Sequence, residues 1–98
     1  MNIRTGPTVI LFPVGALAGT PSAMAAIEEN KIAYRSLVDR HVAGDWGDVE
    51  LESAEANADA LLNGTRLMSV YRLPSGVQIW IITEADRSST TILLPEDY

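Results

Sequence analysis

The sequence predicts an α+β fold, an antiparallel sheet of three or four strands with two or three helices packed on it. Two observations carry that expectation. Apolar residues recur at helical spacing through the first two-thirds of the chain, and from Thr65 onward the period changes to two. The 98 residues, 47% apolar and 20% charged, suit one domain with one modest core, rather than a disordered chain.

The apolar run "TVILF" reads as a buried first strand, Thr8 to Phe12, closed by Pro13 and Gly15. The same region, Arg4 through "SAMAA", also has the outline of a secretory signal with an Ala-x-Ala site. The proline and glycine inside the run favour the strand, and the run is short of the ~20 residues of a membrane span. Thr20-Pro21 is a helix start, a hydroxyl at the cap followed by a proline whose missing N–H costs nothing there. That first helix is expected over 21–30. A second, over 33–43, places Tyr34, Leu37, Val38, His41 and Val42 on one face and ends at Gly44. A third, over 49–63, carries an apolar stripe of Leu51, Ala54, Ala58, Leu61 and Leu62. Asp48 serves as its N-cap and Gly64 as its stop.

Strands follow at 66–73, 77–83 and 89–94, rich in β-branched and aromatic residues. "LPSGV" closes a hairpin between the first two, with Gly76 supplying positive φ. The middle strand is apolar on both faces, Val77, Ile79 and Ile81 on one and Trp80 and Ile82 on the other. It is therefore expected at the centre, covered on both sides by helices, the N-terminal segment or a second subunit.

The formal charge of −6, with seven scattered basic residues, argues against direct binding to nucleic acid and suits docking to a basic protein surface. With no cysteine, thiol catalysis and cysteine metal sites are excluded, and the composition fits a reducing, cytoplasmic setting. "GALAGT" lacks the lysine of a phosphate-binding loop, and no cofactor is expected.

Three stretches hold the residue types that chemistry uses. "RHVAGDWGD", Arg40 to Asp48, sets His41, Asp45 and Asp48 in an H-x3-D-x2-D pattern, a conceivable oxygen and nitrogen ligand set. Gly44 breaks the helix between the first ligand and the others. The preferred reading is structural: a histidine at a helix C-terminus, an Asp45 turn, a Trp46 plug and an Asp48 cap. "TEADRSSTT" crowds Glu84, Asp86 and Arg87 into a turn, without a local base for its serines. Glu50, Glu52, Glu55 and Asp59 line the outer face of the third helix.

The stretches "FPVGALAGTPSAMAAIEE", "RHVAGDWGDVELESAEANADALLNGTRLMSVYRL" and "VQIWIITEADRSSTTILLPEDY" resemble a family of small bacterial, plasmid- and phage-associated proteins. Members carry labels such as "type I restriction endonuclease subunit M" or "plasmid-related protein". The resemblance places "GALAGTPSAMAAIEE" inside the family domain and implies the company of mobile elements. A DNA methyltransferase subunit would need a doubly wound cofactor sheet and an Asn-Pro-Pro-aromatic motif, and this chain has no Pro-Pro. The expected function is thus a non-enzymatic protein-binding module, an anti-defence inhibitor in that setting. Its candidate contact residues are Asp45, Trp46, Asp48, Glu52, Glu55, Asp86 and Arg87. The alternatives are a small metal-assisted hydrolase or nuclease using His41, Asp45 and Asp48, and a homodimeric accessory protein.

Overall fold

The computed structural model describes residues 9–98. Its elements run β1 (Ala16–Gly19), α1 (Pro21–Glu29), α2 (Tyr34–Val42), α3 (Leu51–Asn63), β2 (Leu67–Arg72), β3 (Gln78–Thr83) and β4 (Ser89–Leu93), then a single 3-10 turn at Pro95–Asp97. The α+β expectation holds, with three helices and one four-stranded sheet of order β1-β4-β3-β2. The sheet is mixed rather than wholly antiparallel, because β1 runs parallel to β4.

The first strand is where the sequence misleads. Of the expected strand at 8–12, Thr8 lies outside the described residues, and 9–12 form no strand. Leu11 instead donates its N–H to the carbonyl of Val42, and Phe12 enters the core. The strand forms four residues later from "ALAG", which has no β-branched residue. Pairing with β4 supplies what local propensity does not. Gly15, at φ +65, lets the chain pass so close to the Ser88 backbone that a Cβ would collide with it.

Helix boundaries follow the capping residues at Thr20 and Gly64. Thr20 accepts the Ala23 N–H at 3.2 Å, and Ala23 and Ala26 of the Ala-rich segment pack into the core. Gly64, left-handed at φ +69, ends α3. Asp48 does not cap α3, which starts at Leu51 with Glu50 in the cap position and no side-chain capping bond. The reason lies upstream. Gly47 forms a parallel bridge with Val70, and Asp48 donates its N–H to the Val70 carbonyl, so the chain there is held extended.

One face of the sheet carries Leu67, Ser69 and Tyr71 of β2, Ile79, Ile81 and Thr83 of β3, and Thr90 and Ile92 of β4. Helices α1 and α2 cover it through Ala23, Ala26, Ile27 and Leu37. β3 is central as expected, but among the described residues no helix covers its second face at Trp80. The C-terminal Tyr98 meets that ring edge-on at 5.7 Å. The 3-10 turn before Tyr98 is pinned to the start of α1. Asp97 accepts hydrogen bonds from Thr20 at 2.7 Å, Ser22 at 2.8 Å and the Leu94 N–H at 3.0 Å. These donors, Thr20 foremost, hold the Asp97 carboxyl below its ordinary range.

The apolar stripe of α3 is also rotated from the expected one. Asn57 and Ala60 are its buried residues, while Leu51 and Leu62 stand 74% and 86% exposed. A polar residue takes the inward position because α3 lies along the β2 edge, where the backbone needs partners. Asn57 Nδ2 donates to the Met68 carbonyl at 2.7 Å, and the Met68 N–H donates to Asn57 Oδ1 at 3.1 Å.

Candidate functional site

His41 is fully buried between α2 and the sheet. Its Nδ1 lies 2.5 Å from Ser69 Oγ and its Nε2 2.9 Å from Thr83 Oγ1. Thr83 Oγ1 is 2.7 Å from Thr90 Oγ1, and Thr90 donates to the Val14 carbonyl at 2.8 Å. Proton counting then orients the whole relay. A carbonyl only accepts, so Thr90 gives Val14 its single proton and must accept from Thr83. Thr83 in turn accepts from His41, which is therefore protonated on Nε2, and Nδ1 accepts from Ser69. Burial holds the imidazole neutral, with its pKa pushed down to about 4.

This arrangement seats His41 in the last turn of α2, as expected, but as a neutral ring bonded to the sheet rather than to the helix end. It also leaves neither ring nitrogen free for a metal or a substrate proton. Asp45 is committed elsewhere. Arg40 Nε and Nη2 reach its two carboxylate oxygens at 2.7 and 3.2 Å, and the Gly47 N–H donates to it at 3.2 Å. The Arg40 bond, more than any other effect, lowers the Asp45 pKa. Among the described residues, no group of three or more His, Asp or Glu side chains could hold a metal ion.

The stretch Arg40 to Asp48 is instead an edge guard for the sheet. Val70 donates to the Trp46 carbonyl at 3.0 Å and accepts from Asp48 at 2.6 Å. Tyr71 donates its hydroxyl to the Asp45 carbonyl at 2.6 Å, with the Arg40 guanidinium 4.5 Å from its ring centre. Trp46 does act as a plug, stacked on Phe12 at 6.3 Å with its edge toward His41 at 5.8 Å. Gly47, at φ +74, is required because a Cβ there would strike the Val70 carbonyl and the Tyr71 ring.

Arg87 is a clamp, and both of its terminal nitrogens bond inside the fold. It donates to the carbonyls of Thr65 (2.6 Å), Ala60 (3.0 Å), Glu84 (3.1 Å) and Ala85 (3.1 Å). It also lies 5.7 Å from the Phe12 ring centre. Phe12 touches both His41 and Arg87, so the two polar stretches meet across an aromatic ring rather than in a shared polar site. Asp86 stays on the surface, accepting from the Ser88 N–H at 2.9 Å.

Of the expected contact residues, Asp48, Glu52, Glu55 and Asp86 are exposed with free surface to offer. Asp48 alone of these borders a groove, together with Val49, Glu50 and Ser53 on one wall and Met68, Val70, Gln78 and Trp80 of the sheet on the other. The sheet wall was missed in the sequence. Its signal was the two-sided apolar pattern of β3, which put Trp80 on the face that none of the helices among the described residues covers. No protein-family model, curated protein or solved structure matches the chain.

Proposed function

We propose that this chain is a non-enzymatic protein-binding module that receives a basic, partly apolar segment of a partner protein. The observation that carries the reading is the groove between the start of α3 and the second face of β2 and β3. Met68, Val70 and Trp80 offer apolar and aromatic surface, while Asp48 and Glu50 stand beside them. A half-buried aromatic beside carboxylates suits a lysine or arginine side chain, whose stem packs on the open part of the ring while its charge meets the acids. The acids of α3, Glu52, Glu55 and Asp59, extend the negative surface away from the groove and would steer a basic partner toward it.

A catalytic reading has less support. The only histidine spends both ring nitrogens inside the core, and Asp45 is neutralised by Arg40. The family resemblance of the sequence supports a setting among mobile elements, and the cysteine-free composition suits a cytoplasmic one. There, occupying the basic surface of a host defence protein would amount to inhibition. Among the described residues no helix is long and apolar enough to cross a membrane.

The test is capture of partners from the native host, identified by mass spectrometry, using the wild-type chain beside a Asp48→Lys/Glu50→Lys double variant. The expected result is a basic partner enriched by wild type and lost at least tenfold with the variant, at equal thermal stability. Equal capture by both would remove the groove as the binding surface.

A further inference from the structure

The two edges of the sheet are treated differently. At β2 the outward backbone groups of Met68 are closed by Asn57, and those of Val70 by Trp46 and Asp48. At β1 the inner edge pairs with β4, with Ala16 donating to Ser88 and Thr20 to Ile92. By strand alternation, Leu17 and Gly19 turn their N–H and C=O groups outward. All four β1 residues are exposed, and among the described residues nothing pairs with that outer edge. β1 is short, but two usual guards of an open edge are missing there, since Gly15 to Thr20 holds no charge and no proline.

We propose that two copies of this chain pair through β1, antiparallel about a two-fold axis at Ala18, joining their sheets into one of eight strands. The register follows from the outward groups. Leu17 pairs with Gly19 of the second copy in both directions, giving four backbone hydrogen bonds, and Ala18 faces its own counterpart in the non-hydrogen-bonded position. Opposite residues of an antiparallel pair share a face, so each Leu17 side chain lies beside the other copy's Gly19, where its one close neighbour is the flexible Met24 thioether, free to swing aside. Leu17, 41% exposed, would there enter the small apolar hollow formed by Gly19, Met24, Tyr34 and Ile92. A second copy suits this place because the edge is self-complementary, with Leu17 and the hollow that would take it side by side on β1. A chain of net charge −6 repels itself, and β1 presents an uncharged edge at which two copies can approach. This surface is separate from the groove and stands whether or not that groove binds a partner.

The chain has no cysteine, which makes the test direct. Sedimentation of the wild type should give twice the 10.6 kDa chain mass, falling toward that mass on dilution. Leu17→Lys should give a monomer at all concentrations with an unchanged circular dichroism spectrum, because the substituted side chain lies on the exposed edge and its backbone bonds none of β4. Ala18→Cys should form a disulfide-linked dimer under mild oxidation, since directly opposed residues in that register bring the two Cα atoms to about 4.5 Å. Ala58→Cys, on the exposed side of α3, serves as the control. A wild-type monomer at millimolar concentration overturns the proposal. So does a dimer that survives Leu17→Lys, or an Ala18→Cys chain that cross-links no faster than Ala58→Cys.

Discussion

Asn57 and Met68 are bound as if they were two strands. The side-chain amide of Asn57 gives one hydrogen bond to the Met68 carbonyl and takes one from the Met68 N–H, in the manner of a backbone peptide group. It fastens α3 to the β2 edge and closes that edge to other chains. Asn57 is buried, so no water stands ready to replace it.

Asn57→Ala should therefore lower the unfolding free energy by about 2 kcal/mol, the scale for leaving two partly buried backbone groups unpaired. Asn57→Asp should not rescue it at neutral pH. A carboxylate can accept from the Met68 N–H but meets the Met68 carbonyl with like charge. Urea denaturation measures both. A fully stable Asn57→Asp variant would refute the amide's double role.

The buried His41 makes stability depend on pH in a defined direction. Its folded pKa of about 4 lies below the ordinary histidine value of about 6.5, so the unfolded chain binds the extra proton first. Stability is complete above about pH 6.5 and declines as pH falls toward 4, by roughly 3 kcal/mol in all if the full shift is realised. Proton NMR of the imidazole should show no titration in the folded state between pH 7 and 5, and His41→Gln should flatten the stability profile across that window. A folded imidazole titrating near 6.5 would contradict the relay.

Arg87 should behave as a structural residue. Arg87→Ala removes the guanidinium from four carbonyls, spread over the end of α3, Thr65 and the β3–β4 turn. The expected cost is about 2 kcal/mol, or about 10 °C in a chain of this size. Arg87→Lys should recover less than half, because one ammonium cannot span carbonyls that a planar fork reaches together. Thermal melts of the three proteins decide it, and a near-normal melt for Arg87→Ala would sink the clamp.

Much of the fold was legible because its signals are local. Thr20-Pro21 starts α1, Gly64 ends α3 and Gly76 turns the hairpin, each through the conformation or hydrogen bond of a residue near in sequence. The change of period at Thr65 announced three strands, and the two apolar faces of β3 put it at the centre. β1 was illegible because "ALAG" has no pattern of its own. The candidate site was misread for a similar reason. His41 looks like a catalytic residue until Ser69, 28 positions on, and Thr83, 42 positions on, are seen to take its nitrogens. Asp48 looks like a helix cap until Val70 is seen to hold its backbone.

What the sequence by itself determined is the inventory: an acidic, cysteine-free domain of three helices followed by three strands, with their starts and stops. Those follow from periodicity, capping and turn chemistry, which act over a few residues. Only the tertiary structure decided which edge of the sheet is guarded, which face leaves Trp80 beside an open groove, and that His41, Asp45 and Arg87 serve the fold. Hydrogen bonds between residues distant in sequence settle those matters, because a buried polar group must find a partner wherever the chain's path brings one within 3 Å or so.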